Sequence, residues 1–337
     1  TKGRTQSEVD LVWLLHSNFH CGLKKMLAVL VWIALSLLSF PTVVWMLSYF
    51  SQQLYLLLVP VPDLKKKYDA KWALVTGGSS GIGRAIVQKL AMQGLNIVVV
   101  GLKDKFMDKT EEDMKAFPEL EFRFVPVSFA PGVDYMKTIK QKTKDIEIQC
   151  IFNNAGYLVT GFFEQVPVEK QLANLECNAT AATAITHHFL ANLISKDLKG
   201  CIVFTSSVVS YIPAPFSVVY GATKAYLSQF AVSIAIENKA RGIDICTIHP
   251  SPVASNFYEN QLEIEMMDMA KKSAVKPDTL PDRIFKCIGR VQMYDMGQMA
   301  VTTRTFTSFL PYSILSAIFA MGAPYLPDYK KYNAERK

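Results

Sequence analysis

Residues 72–84 read WALVTGGSSGIGR, and the fold is decided here. Trp72 to Thr76 is a short apolar run suited to a strand, a glycine-rich turn follows, and a helical pattern opens at about Arg84. Glycines 77, 81 and 83 allow a tight turn and a close backbone approach to a pyrophosphate, which the free N–H groups of the helix N-terminus then stabilise. Gly77, Ser79, Ser80, Gly81, Ile82 and Gly83 are therefore candidate phosphate-binding residues. Their spacing of four then two departs from G-x-G-x-x-G, and an ordinary loop explains the turn equally well when it is taken alone.

Further apolar runs follow at Asn96–Gly101, Phe122–Val127, Ile148–Asn153, Cys201–Ser206 and Ile243–His249. The segments between them, 82–93, 131–145, 168–196 and 217–240, are long enough for crossover helices. That alternation predicts α/β architecture, a Rossmann-type doubly wound parallel sheet.

Downstream, Asn153-Asn154-Ala155-Gly156 ends the fourth strand, Asn178 lies in a helical stretch, and Ser207 ends the fifth strand. Tyr220 and Lys224 follow, four apart on a predicted helix and so on one face. A Tyr and a Lys at that spacing are commonplace on solvated helices, but the whole set in order is not. It closely resembles the short-chain dehydrogenase/reductase family over about residues 71–260.

The resemblance implies a tetrad of Asn178, Ser207, Tyr220 and Lys224. A phenol with a pKa near 10 works as an acid or base near neutrality only beside a cation, and Lys224 is that cation. Lys224 would also bond the nicotinamide ribose, Ser207 would donate to the carbonyl oxygen, and Asn178 would hold a water relaying protons to Lys224. Ser206 competes with Ser207, which stands thirteen residues before Tyr220, the family's usual spacing. Asn154, Ala155, Gly156, Pro250 and Val253, with Tyr220 and Lys224, complete the implied cofactor site. No metal site is expected: the six cysteines lack paired spacing and read as reduced, mostly buried thiols.

The second strand ends Val100-Gly101-Leu102-Lys103-Asp104, where an acidic residue would select NAD and a basic one NADP. Lys103, with Arg84, could reach a 2′-phosphate, which favours NADP(H) over NAD(H), while Asp104 starts the next helix. Ser128 stands where the family commonly has Asp, and Ser251 where it has Gly. His187 and His188 read as packing or surface residues. Met266, Met267 and Met269 lie in the family's lid region, where they line an adaptable pocket or simply pack a helix.

The 337 residues carry a net charge of +7, but residues 72–327 account for only +1, against +4 for 1–71 and +2 for 328–337. A nucleic-acid surface would need that excess on the folded body. From Met26 to Pro62 no residue is charged, a run of 37 against the roughly 20 that span a bilayer. One membrane anchor is expected, kinked at Pro41 or followed by an interfacial helix. Lys65, Lys66, Lys67 and Lys71 outnumber Lys24 and Lys25 across the run and place the body in the cytosol. A second uncharged stretch, Thr305–Pro327, is broken by Pro311 and Pro324 and suits an interfacial segment or a buried core helix.

The expected organisation is an N-terminal segment at 1–25, an anchor at 26–62, a dehydrogenase domain at 63–304 and a membrane-associated extension at 305–337. The resemblance points to the membrane branch of 17-beta-hydroxysteroid dehydrogenases and very-long-chain 3-oxoacyl-CoA reductases, with some likeness to 3-ketosphinganine reductases. The expected activity is NADP(H)-dependent reduction of a ketone on a lipid-like substrate. The branch implies the endoplasmic reticulum membrane, with another organelle's membrane left open. Oxidation of a sterol or retinol at the same site, and an accessory role in a membrane complex, are the alternatives. A homodimer also stays open.

Overall fold

In a computed structural model, residues 6–259, 261–262 and 264–336 are described, with the backbone alone for 6–12, 14–19, 21, 34, 35, 37, 38, 266, 269 and 270. The chain divides into two compact units, residues 1–57 and 58–337. The first is helix α1, Gln6–Leu58, with Pro41 inside it. Its side chains from Leu27 to Ile33 are all exposed and apolar. Among the described residues, which leave out side chains 34, 35, 37 and 38 within the uncharged run, no single helix is long and apolar enough to cross a membrane.

The second unit is built on a parallel sheet whose seven strands among the described residues run β3-β2-β1-β4-β5-β6-β7. The strands are β1 Trp72–Thr76, β2 Asn96–Gly101, β3 Phe122–Pro126, β4 Ile148–Asn153, β5 Gly200–Thr205, β6 Ile243–Pro250 and β7 Met293–Met296. The helices are α2 Leu64–Tyr68, α3 Gly81–Met92, α4 Lys105–Met114, α5 Tyr135–Thr143, α6 Val168–Leu175, α7 Ala181–Ser195 and α8 Val218–Asn238. After β6 come α9 Glu265–Lys272, α10 Pro281–Cys287, α11 Gln298–Ser308, α12 Tyr312–Gly322 and α13 Pro327–Ala334.

Strands β1, β4 and β5 are buried along their whole length, because helices cover both sheet faces and no polar side of a strand is left to meet water. On one face Leu74, Val98, Ile151, Ile202 and Phe204 pack with Ile139 of α5, Ile185 and Phe189 of α7, and Leu227 and Ala231 of α8. On the other, Phe152 meets Phe285 of α10 with ring centroids 5.8 Å apart.

The sheet order reverses between β1 and β4, so a crevice opens where their C-terminal ends diverge. The turn after β1 lies at its mouth. Gly77 sits at φ +61° against Ala155, whose Cα would be 2.9 Å from an added Cβ. A Cβ on Gly83 would stand 2.1 Å from the Gly77 carbonyl oxygen.

Several boundaries and one element differ from the sequence expectations: β6 runs one residue further, to Pro250. β3 stops at Pro126, β5 runs Gly200–Thr205 so that Ser207 lies beyond it, and 168–196 is broken by a π-helical turn at Glu176–Thr180. Strand β7 lies outside the runs read from sequence: Met293–Met296 is four residues long and has no apolar alternation.

Gly83→Ala is expected to lower the thermal midpoint strongly. Overpacking costs about 1–3 kcal/mol, and here the obstacle is backbone that cannot swing aside. Thermal unfolding of the detergent-solubilised chain checks this, and an unchanged midpoint would contradict it.

Candidate active site

The crevice collects residues from four elements. At its floor Thr76, the last residue of β1, accepts at Oγ1 from the backbone N–H groups of Asn154 (3.0 Å) and Ala155 (2.9 Å). Asn154 in turn donates to the Thr76 carbonyl at 3.2 Å and accepts from Thr205 Oγ1 at 3.1 Å. The turn after β1 and the end of β4 are thereby locked together. Thr110 Oγ1 donates to the Ser79 carbonyl at 2.9 Å and ties the turn to α4.

The tetrad lies at the ends of β5, the π-helical turn and α8. Tyr220 is buried, with its ring 5.7 Å from that of Phe257, and the Ser207 hydroxyl acts to lower the pKa of its phenol. Lys224 is only 3% exposed. Its Nζ donates to the Thr205 carbonyl at 2.8 Å and stands 5.5 Å from the centre of the Tyr220 ring. Room for the ammonium comes from Gly156, where an added Cβ would approach Lys224 Nζ to 3.3 Å and Asn178 Oδ1 to 3.2 Å.

Asn178 is fully buried in the π-helical turn. Its Oδ1 accepts from Tyr157 N at 3.0 Å, while Nδ2 donates to the Tyr157 carbonyl at 3.0 Å and to Thr223 Oγ1 at 3.3 Å. The asparagine therefore fastens the loop after β4 to α8 as well as standing beside Lys224. Short π-helical turns inserted in α-helices recur at functional sites.

Burial sets the electrostatics. It pushes the Tyr220 phenol well above its ordinary value, outweighing the opposing influence of the Ser207 hydroxyl. It pulls Lys224 down to about 8, with Cys177 acting weakly the other way. The cation that should ease ionisation of the phenol does not overcome its desolvation, so Tyr220 rests as a proton donor. Ser206 is excluded from that role: its hydroxyl bonds the Lys224 carbonyl at 2.7 Å and Ser228 Oγ at 2.8 Å.

The remaining expected residues divide. Pro250 closes β6, and buried Val253 forms a bridge with Val275. Lys103 and Arg84 are both engaged by carboxylates, Asp108 and Asp113 respectively. The Lys103 pair is more than half exposed, the class of contact worth about 0–1 kcal/mol. Asp104 caps α4 by accepting from Phe106 and Met107 N, which removes it from ribose recognition. The side chains of Met266 and Met269 lie outside the described residues. Sequence reasoning missed Thr76, Thr205 and Thr223. Their hydroxyls bond the site's backbone and side chains from within or beside regular elements, where a threonine carries no distinctive pattern.

The model of the family described as short chain dehydrogenase matches residues 71–265. The chain belongs to that family, whose members bind nicotinamide dinucleotides. It is 29% identical over 197 residues to the human inactive hydroxysteroid dehydrogenase-like protein 1, covering 58% of this chain. It spans about three fifths of the length of the hydroxysteroid dehydrogenase-like relatives it matches. It is also 30% identical over 222 residues to mouse very-long-chain 3-oxoacyl-CoA reductase, covering 63% of this chain and 70% of that one. The fold matches a solved 7beta-hydroxysteroid dehydrogenase with a TM-score of 0.67 and 21% identity, over 76% of this chain and 99% of that one.

The lysine's burial has a measurable cost. Below pH 8 both folded and unfolded chains carry its charge, so the penalty is constant. Between about 8 and the ordinary lysine value the unfolded chain holds the extra proton, and stability rises with pH. Lys224→Met lacks this dependence, so wild type is expected to gain about 1–3 kcal/mol on the variant from pH 7.5 to 10.5. Denaturant titrations across that range check this; parallel pH curves for the two proteins would contradict it.

Proposed function

We propose that this chain is a membrane-anchored, NADP(H)-dependent reductase of a ketone borne on a lipid, of 3-oxoacyl-CoA, steroid or 3-ketosphinganine type. The observation that carries the reading is the buried Lys224 ammonium 5.5 Å from the ring centre of a protonated, buried Tyr220. The cradle fits a dinucleotide: at Gly77 and Gly83 side-chain atoms would fill the space against Ala155 and the turn. Gly77, Ser79, Ser80, Gly81, Ile82 and Gly83 would hold its phosphates, Lys103 the 2′-phosphate, and Asn154, Ala155, Gly156, Pro250 and Val253 the nicotinamide end. When bound, the cofactor supplies the hydride.

The chain's own residues supply the rest. Ser207 donates a hydrogen bond to the ketone oxygen and Tyr220 delivers its proton there as negative charge develops. Lys224 stabilises the phenolate left behind, and Asn178 holds the loop after β4 and the turn of α8 in register around it. A phenol raised by burial is protonated at neutral pH, the form from which reduction starts; the same shift makes it a weaker acid, and the Lys224 charge beside the developing phenolate works against that.

The lipid assignment rests on the flanks. The uncharged run 26–62 lies within α1 and the segment just after it, and α11–α12 together are long and apolar enough for a broken span or re-entrant loop, bent by 114°. Phe306, Tyr312, Ile318 and Met321 are exposed along that pair. A cavity of about 500 Å³ lies between α12, through Tyr312 and Phe319, and Pro213, Val218 and Ala222, and none of the tetrad residues lines it. Very-long-chain 3-oxoacyl-CoA reductase among the relatives agrees with such a substrate. A second reading, a non-catalytic accessory subunit, is favoured by the relatives named inactive.

Tyr220→Phe separates the two. It is expected to cut ketone reduction by about 10²- to 10⁴-fold, the contribution of a general acid, with NADPH affinity preserved and tighter than NADH affinity. Wild-type rates should fall as pH rises through about 8, where Lys224 loses its charge. Equal rates for the two proteins would sink the enzyme reading, and tighter NADH binding would reverse the cofactor assignment. In sealed endoplasmic reticulum vesicles, protease added outside is expected to digest residues 63–304; a protected body would reverse the topology.

A further inference from the structure

One buried ionisable group takes no part in the steps above. His249, the penultimate residue of β6, is 0% exposed, and around it runs a polar chain from α8 to β7. Ser228 Oγ stands 2.8 Å from His249 Nε2, 2.8 Å from Ser206 Oγ and 2.9 Å from the Lys224 carbonyl oxygen. Ser206 Oγ donates to the same carbonyl at 2.7 Å. Across the ring, Nδ1 faces Asp295 Oδ1 at 3.4 Å, and that carboxylate accepts from Tyr211 OH at 2.8 Å.

This chain has more contacts than protons. Ser228 owns one hydroxyl hydrogen and has three acceptors in reach, so something must decide where it goes. The ring decides. At 3.4 Å the carboxylate is too far for a good hydrogen bond but acts through its charge, and a lone pair on Nδ1 pointing at it would be repelled. The proton therefore sits on Nδ1, Nε2 is the acceptor, and Ser228 gives its hydrogen to the imidazole. Ser206 is then the hydroxyl left to hold the Lys224 carbonyl. Thr205 and Ser206, at the end of β5, grip Lys224 at both extremes: a carbonyl takes the ammonium and a hydroxyl holds the backbone.

We propose that His249, kept in its Nδ1–H tautomer by Asp295, is a positioning residue for Lys224: by accepting the Ser228 proton it assigns Ser206 to the Lys224 carbonyl and fixes the turn of α8 that presents the ammonium. The groups facing the ring are Asp295 and the Tyr294 backbone on β7, Tyr211 in the turn after Ser207, and Arg304 of α11. Burial first, then Arg304, holds the imidazole down to about 3 against the Tyr294 backbone bond. The ring stays neutral at ordinary pH, and the direction of the chain does not change. The catalytic consequence rests on the reductase reading; the tautomer does not.

The test therefore has two arms. In the full chain in detergent with ¹⁵N-labelled histidine, His249, assigned by its loss in His249→Gln, is expected to show a protonated Nδ1 and a bare Nε2, unchanged from pH 5 to 9. A protonated Nε2, or titration in that range, would overturn the proposal whether or not any ketone is reduced. In the second arm His249→Gln, whose side-chain oxygen can still accept from Ser228, is expected to keep kcat within about threefold, whereas His249→Leu loses about tenfold at unchanged KM. The alkaline limb near pH 8 should move up in His249→Leu, towards the ordinary lysine value, as the loosened ammonium meets water. A folded His249→Leu protein that binds NADPH normally and keeps both kcat and limb would also overturn it. If wild type reduces no ketone, the functional reading fails and the tautomer alone decides this one.

Discussion

A lysine ammonium taken almost wholly out of water is the constraint around which the second unit is arranged. Isolated, such a charge is costly enough to be neutralised; here its pKa falls only to about 8. What holds it is the fixed dipole of the Thr205 carbonyl at the end of β5, with the Asn178 amide facing the same Gly156. Each of these depends on something else. Gly156 must lack a side chain, the helix before α7 must open into a π-helical turn to carry Asn178 inward, and β5 must end where its carbonyl meets α8. The Asn153–Gly156 loop is fastened through Thr76 to the glycine turn, so the lysine site and the dinucleotide cradle are one rigid construction.

That coupling explains why the two halves of the sequence signal belong together. A glycine turn alone is a loop, and a Tyr and Lys four apart are a helix face. Bonded across β1, β4, β5 and α8 they become a cleft in which a proton donor lies buried beside a cation. The high resting affinity of Tyr220 for its proton follows from the same burial. Tyr220 is thus held in its protonated state.

Much of this was legible in the chain. Continuous apolar strands exist because both sheet faces are covered, and the tetrad's spacing reflects where strand ends and helix turns must lie. What was not legible arises from contacts between distant residues. The pattern MYDM of β7 carries no alternation, because a four-residue strand at the sheet edge is fixed by pairing with Thr247–Pro250. The π-helical turn is a one-residue insertion with no compositional mark. Lys103 reads as a free phosphate ligand until the fold brings Asp108 to it. His249 reads as a strand residue, and only the arrival of Ser228 and Asp295 from elements on either side gives its ring a direction.

The flanking segments give the cleft its context: an uncharged run and a bent apolar pair on a body of nearly neutral charge. The most direct test is product analysis. The full chain reconstituted in vesicles with NADPH would be offered a very-long-chain 3-oxoacyl-CoA, a ketosteroid and 3-ketosphinganine, and the alcohols measured by mass spectrometry. The account predicts that at least one ketone is converted to its alcohol in proportion to NADPH consumed. Tight NADPH binding with no alcohol from any of the three would contradict it.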